Sequence, residues 1–377
     1  MNFREYLLVG TLMVIANCSY SQFNNSAFCI GHRIDHIDSN KFSLSLSNTD
    51  FLKNNEYFNK IVQGYTLIGF YLQTRLVYQA TPNFRLEGGA HLQKYSGLNK
   101  FTQVLPVFAV NYQPFNWLNV VIGTLYGSVN HCMIDPVFDF ERVYKNNVEN
   151  GVQLIVDHKR IRSDLWLNWE KFIFEHSTFQ EELVFGNSTE MNITAPGKRV
   201  ILAVPFQFIF AHKGGQDLNL PGHHVETLMN LAYGLHLGMN MNNKIVQRLV
   251  FRGYVAHYKD LSSQKMLQYK NGIAFYPSLA LEGKFFDLMV AYWHGKQFIA
   301  PRGEAYYQSI SHEDTVYTES NRRLITMKLG LHHTISKGIE AGVRFEGYYD
   351  KHHKIFEYSY GLYLIFMRDF LLKKMKG

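Results

Sequence analysis

Histidine is the side chain most open to a chemical reading, with 17 copies in the chain. His131, His176, His212, His223, His224, His257, His294, His312, His352 and His353 fall on the long-loop side of the strand pattern. Neutral imidazoles clustered there could capture a transition metal or haem, with His212, His223 and His224 as the ligand candidates. The competing reading is polar, partly aromatic loop filler. None of these loop-side histidines are spaced His-x-x-x-His as on a helix face, and adjacent pairs such as His223-His224 or His352-His353 point to opposite sides of a strand. No cofactor is therefore expected. Gly-x-Ser-x-Gly, His-Glu-x-x-His and a phosphate-binding glycine loop are all missing, so the expectation is that the chain is not an enzyme.

Charge suggests a different chemistry. Arg75, Arg85, Glu87, Asp164, Glu170, Arg248, Arg252, Asp287, Arg344 and Glu346 fall on the polar faces of alternating segments. Such residues could line a pore and set ion selectivity, or fill a narrow interior and fix a plug. The stretch 129–148 carries Asp135, Asp139, Glu141 and Arg142 and is long, Phe-rich and mixed in charge. It is either an inward-folding constriction or an external loop packed on its neighbours. The stretch 296–321 holds Pro301-Arg302-Gly303-Glu304 and Tyr306-Tyr307, and is a candidate partner surface or lid.

The elements that must position these residues are strands. Among 377 residues, 46% are hydrophobic, 15% aromatic and 18% charged, the last below the usual share of about 25%. With 53 Tyr and Phe (24 + 29) and 9 Pro, the chain is neither disordered nor of low complexity. The net charge of +7 is scattered and the mean hydropathy is -0.17. That combination excludes a nucleic-acid patch and a helical membrane bundle.

Alternation with a period of two recurs along the chain. Over 65–80, Ile68, Phe70, Leu72, Leu76 and Tyr78 share one face, while Gln73, Arg75 and Gln79 lie on the other. Segments at 84–95, 199–211, 225–238, 339–350 and 355–367 repeat the pattern. A strand that crosses a membrane needs roughly 9 to 11 residues with lipid-facing and lumen-facing positions in alternation. About sixteen such segments are counted, the first at 42–48 and the last at 355–367. If 42–48 is instead a periplasmic or plug segment and one of the weaker segments, 180–192 or 101–112, is not a strand, the count is fourteen. Tight turns such as Thr81-Pro82-Asn83 and Ser336-Lys337-Gly338 alternate with the long loops. Short periplasmic turns and long extracellular loops define an antiparallel up-and-down transmembrane β-barrel, and closure is what removes free sheet edges from lipid.

Residues 1–21 are read as a signal peptide, from the basic start and the apolar run Tyr6 to Ala16. A second reading makes Cys18 a lipid acceptor. The rest divides into 22–41, a periplasmic segment or small plug, 42–367, the barrel, and 368–377, a periplasmic tail. Cys29 and Cys132 fall on opposite sides of the membrane in this layout and should not pair.

Short motifs such as Arg85-Leu86-Glu87-Gly88-Gly89, Asp139-Phe140-Glu141-Arg142, Phe179-Gln180-Glu181-Glu182-Leu183 and His212-Lys213-Gly214-Gly215-Gln216 give the chain a resemblance to uncharacterised outer-membrane barrels of the Bacteroidota, over residues 50 to 367. The resemblance implies a barrel fold and an address in the outer membrane of a Gram-negative bacterium, and it transfers no functional residue. Asp314-Thr315-Val316 also resembles the O-glycosylation acceptor of that group. The expected function is a porin-like channel for small hydrophilic solutes, in contact with outer-membrane lipid. The alternatives are an accessory barrel bound to other outer-membrane proteins, and surface metal or haem capture.

Overall fold

The computed structural model describes residues 23–30, 34, 38–175, 177–215 and 224–375. The segment read as a signal peptide, with Cys18, lies outside the described residues, as do His176 and His223.

Sixteen antiparallel strands close on themselves, each paired with its sequence neighbours. They are β1 (Lys41–Glu56), β2 (Thr66–Thr81), β3 (Phe84–Tyr95), β4 (Gln103–Phe115), β5 (Leu118–Thr124), β6 (Asn150–His158), β7 (Ile161–Lys171) and β8 (Glu182–Asn192). The second half comprises β9 (Val200–Lys213), β10 (Glu226–Asn240), β11 (Val246–Asp260), β12 (Asn271–Gly283), β13 (Phe286–Lys296), β14 (Asn321–Ser336), β15 (Ile339–Asp350) and β16 (Ile355–Lys374). β1 and β16 seal the cylinder in a register running from Lys41 opposite Lys374 to Glu56 opposite Tyr358. The count is sixteen, not fourteen. Among the described residues no helix is long and apolar enough to cross a membrane.

Two boundaries differ from the sequence expectation. The first strand runs to Glu56 rather than ending near 48, because its pattern inverts part-way: Phe51 turns inward, while Asn48, Asp50, Asn54 and Glu56 face out. The last strand continues through 368–374, which are therefore barrel wall and not a tail.

Elsewhere the outer wall is apolar, exposing Phe108, Ile122, Phe206, Leu235, Leu279 and Leu364 among many others. The inside is what distinguishes this barrel. Sixteen strands ordinarily leave an aqueous channel, but here the connections 125–149 and 297–320 fold into the lumen. Ile134, Val137, Phe138, Phe298 and Tyr307 pack there against Trp166, Tyr276 and Trp293 of the wall. From the periplasmic end, Asn24 donates to Asp287 at 3.0 Å and Phe28 meets Phe140 edge to face at 5.4 Å. The hydrophobic core thus sits inside the cylinder. Cys132 is half-buried beside this core with a free thiol, so it does not pair with Cys29.

β5 is the shortest strand, and Gly123 near its end has a φ of 102°. A Cβ there would lie 2.2 Å from the Phe108 carbonyl oxygen. Gly123→Ala is expected to lower stability by about 1–3 kcal/mol, seen as a lower urea midpoint in detergent micelles.

Candidate functional site

All ten charged side chains on the polar strand faces point into the cylinder, where they are paired. Arg75 and Arg85 hold Glu87 at 2.9 and 2.8 Å. Arg248 and Arg252 hold Glu282 at 2.6 and 2.7 Å. Asp287 meets His332 at 3.2 Å, and Glu170 meets Arg142 and Arg302 at 2.8 and 2.5 Å. The centre is Glu346, which receives Lys53 at 2.7 Å, Lys328 at 3.2 Å and Arg344 at 2.8 Å. Lys328 reaches further, to Asp135 at 2.5 Å and Glu304 at 3.4 Å. One lysine thereby ties both inward loops to the wall.

His131 is not the surface histidine expected from the sequence. Its Nδ1 lies 2.8 Å from Asp164 and its Nε2 3.1 Å from Glu149, and its ring stacks on Trp166 at 3.6 Å. Burial pulls its pKa down, but the two carboxylates outweigh burial and hold it up at about 9. With both ring nitrogens engaged and no exposure, His131 pins the loop and cannot serve as a base toward a ligand.

The chemically versatile place is the extracellular mouth. A cavity of about 220 Å³ opens there between the β1–β2 connection and the two inward loops. Tyr57, Val62 and Tyr65 form one side; Asp139, Glu141 and Lys145 form the second; Arg302, Glu304, Tyr306 and His312 form the third. Arg142 opens a single helical turn, Arg142–Lys145, which presents Lys145 to Glu141 at 2.7 Å. Glu141 also accepts from Asn55 at 2.7 Å and from the Tyr65 hydroxyl.

The cavity's acids are driven apart. Burial opposes ionisation of Glu141, but Lys53 and Lys145 hold it well below the usual carboxylate range. Asp139, buried beside the Glu141 charge, is pushed up. Burial also pushes Glu304 up, against the attraction of Lys328. His312 is exposed at the rim of the cavity, where partial desolvation lowers its pKa and favours the neutral imidazole, and its ring makes no hydrogen bond to any described residue. A neutral imidazole beside a protonatable carboxyl and nearby cations is the equipment for general acid–base hydrolysis.

The sequence marked Asp139, Glu141 and Arg142 in one loop and Glu304 in a separate candidate lid, but missed Tyr65 and the role of His312, and only folding brings them together. Asp135 sits deeper, at Lys328. His212 faces outward and bonds Thr227 at 2.8 Å, and His224 offers its backbone carbonyl to Gln180 at 2.9 Å. Among the described residues, the group with metal-ligand spacing is Glu319, Asp350 and His353. The Arg322 guanidinium already sits on both carboxylates at 2.7 and 3.0 Å, so the residues do not fit a metal.

A closed cylinder of sixteen strands with an apolar outer wall, short turns at one end and long loops at the other is an outer-membrane β-barrel of a Gram-negative bacterium. Solved structures share the fold. A loop-deletion mutant of OmpT, an outer membrane protein of Vibrio cholerae, aligns with a TM-score of 0.50 at 9% identity, over 87% of this chain and 100% of that one. The outer membrane protein OprD from Pseudomonas aeruginosa aligns with a TM-score of 0.50 at 11% identity, over 92% of this chain and 100% of its own. No curated protein matches in sequence. The chain belongs to the Lipid A 3'-O-deacylase-type family, whose model matches residues 34–375. That membership overturns the expectation of a non-enzyme, since the family is one of deacylases. A deacylase has no need of the sequence motifs whose absence prompted that expectation, because its groups can be assembled from separate loops.

Proposed function

We propose that this protein is an outer-leaflet esterase that removes an acyl chain from a glycolipid of the lipid A class, with the mouth cavity as its polar site. The observation that carries the reading is the family match over nearly the whole barrel. The cavity supports it by bringing His312, Asp139 and Arg302 together at the extracellular end, where lipid head groups lie. His312 takes a proton from water as the water oxygen attacks the ester carbonyl carbon. Arg302 and Lys145 stabilise the oxyanion, and Asp139 protonates the departing sugar oxygen as the carbon–oxygen bond breaks. Mass spectrometry of lipid A from a Gram-negative host expressing the full chain should show loss of one acyl chain. His312→Ala should reduce that loss by about 10²-fold or more, and an unchanged acylation pattern with the unaltered chain would remove the proposal.

A porin-like channel for small hydrophilic solutes is the second reading, favoured by a strand number that commonly encloses water. Conduction would require both inward loops to leave the lumen.

A further inference from the structure

The upper half of β1 breaks the rule that the rest of the wall obeys. Asp50 faces outward and is exposed, yet its cross-strand neighbours are Leu364 on β16 and Phe70 on β2. Ionisable groups on a lipid face are costly and mark function by default. Other polar groups of the wall satisfy each other, as Ser163 and Thr189 do at 2.7 Å. Asp50 accepts one bond, from Asn48 at 2.6 Å, and its second oxygen has no partner among the described residues.

The polar positions continue upward along the same strand. Asn54 donates to Glu56 at 2.5 Å and to the Tyr360 hydroxyl at 3.2 Å, and accepts from Thr66 at 2.5 Å. The next residues, Tyr57 and Tyr65, turn over the rim into the mouth cavity. One hairpin therefore carries an outward polar track from mid-wall to the cavity.

We infer that this track docks a lipid whose acyl region carries hydroxyl or amide donors. The carboxylate at Asp50 is an acceptor, and a hydrocarbon chain without donors leaves it unsatisfied at that depth. A hydroxylated or amide-linked chain satisfies it and leads its own head group over Tyr65 into the cavity. The inference rests on the esterase reading only in taking an outer-leaflet lipid as the molecule acted upon.

The test is retention, not turnover. The full chain with His312→Ala is placed in nanodiscs holding equal amounts of a hydroxyacylated glucosamine disaccharide lipid and phosphatidylethanolamine, and retained lipid is counted by native mass spectrometry. A preference of about tenfold for the hydroxyacylated lipid is expected, falling to within about twofold in Asp50→Leu and partly kept in Asp50→Asn. Asp50→Leu should also raise the urea midpoint, because a carboxylate leaves the lipid face. Equal preference with and without Asp50, or a lower midpoint in Asp50→Leu, overturns docking. So does a dimer mass that disappears in Asp50→Leu, which would make a second copy the occupant. Retention that depends on Asp50 without acyl loss in the host leaves docking standing and removes the esterase reading alone.

Discussion

Lys328→Met is expected to release both inward loops and to open a conductance that the unaltered barrel lacks. Lys328 is 1% exposed and is the cation shared by Asp135, Glu304 and Glu346. Glu346 would keep Lys53 and Arg344. Asp135 would keep no ion partner, and its Oδ1 is already without a hydrogen bond. Glu304 would keep only the Tyr348 hydroxyl at 2.5 Å. Leaving buried carboxylates without their cation costs about 3–5 kcal/mol. Hydration outside the lumen relieves that cost, so the loops should move out rather than the wall unfold. Planar bilayers should record little current from the unaltered protein and a stepwise increase with Lys328→Met, with new protease cleavage inside 125–149. Equal conductance in both would show that the loops leave the lumen unaided and would favour the channel reading.

His131→Ala is expected to destabilise the protein by about 3–5 kcal/mol near neutral pH, because Glu149 and Asp164 lose the cation between them. The effect should depend on pH. The folded pKa of His131 is about 9 against an ordinary 6.5. Its stabilisation, about 3 kcal/mol by linkage, is complete below pH 6.5 and fades as pH rises through 9. Glu149 has the opposite sign: His131 holds its carboxyl below the ordinary 4.5 against the effect of burial, so its share is lost in acid. Urea midpoints compared at pH 6 and pH 10 should show the gap between the two proteins shrinking at the higher pH. A gap of the same size at both would mean that stacking on Trp166, not charge, holds His131.

Much of the wall was legible in the residues alone. A bilayer accepts strands only in a closed sheet with apolar side chains on one face, so every crossing must print a period-two pattern locally. That constraint yielded the barrel, its sixteen strands and the inward direction of residues such as Arg75, Arg252 and Glu346. It misjudged β1 past Ser47, where outward Asp50 and inward Phe51 invert the pattern.

What fills the barrel was decided by tertiary structure. Lys328 and Asp135 lie 193 residues apart, and Arg302 and Glu170 lie 132 apart. No local period encodes such pairs, since a loop's charged residues look the same in sequence whether they face water or a buried partner. His131 shows the same limit, reading as a surface imidazole until Glu149, Asp164 and Trp166 enclose it. Residue order alone specifies a membrane-spanning cylinder, because lipid dictates the pattern residue by residue. Only the folded chain decided that the cylinder is filled and that Asp139, Glu304 and His312 meet at its mouth, because loop docking depends on charges brought together across the whole length of the chain.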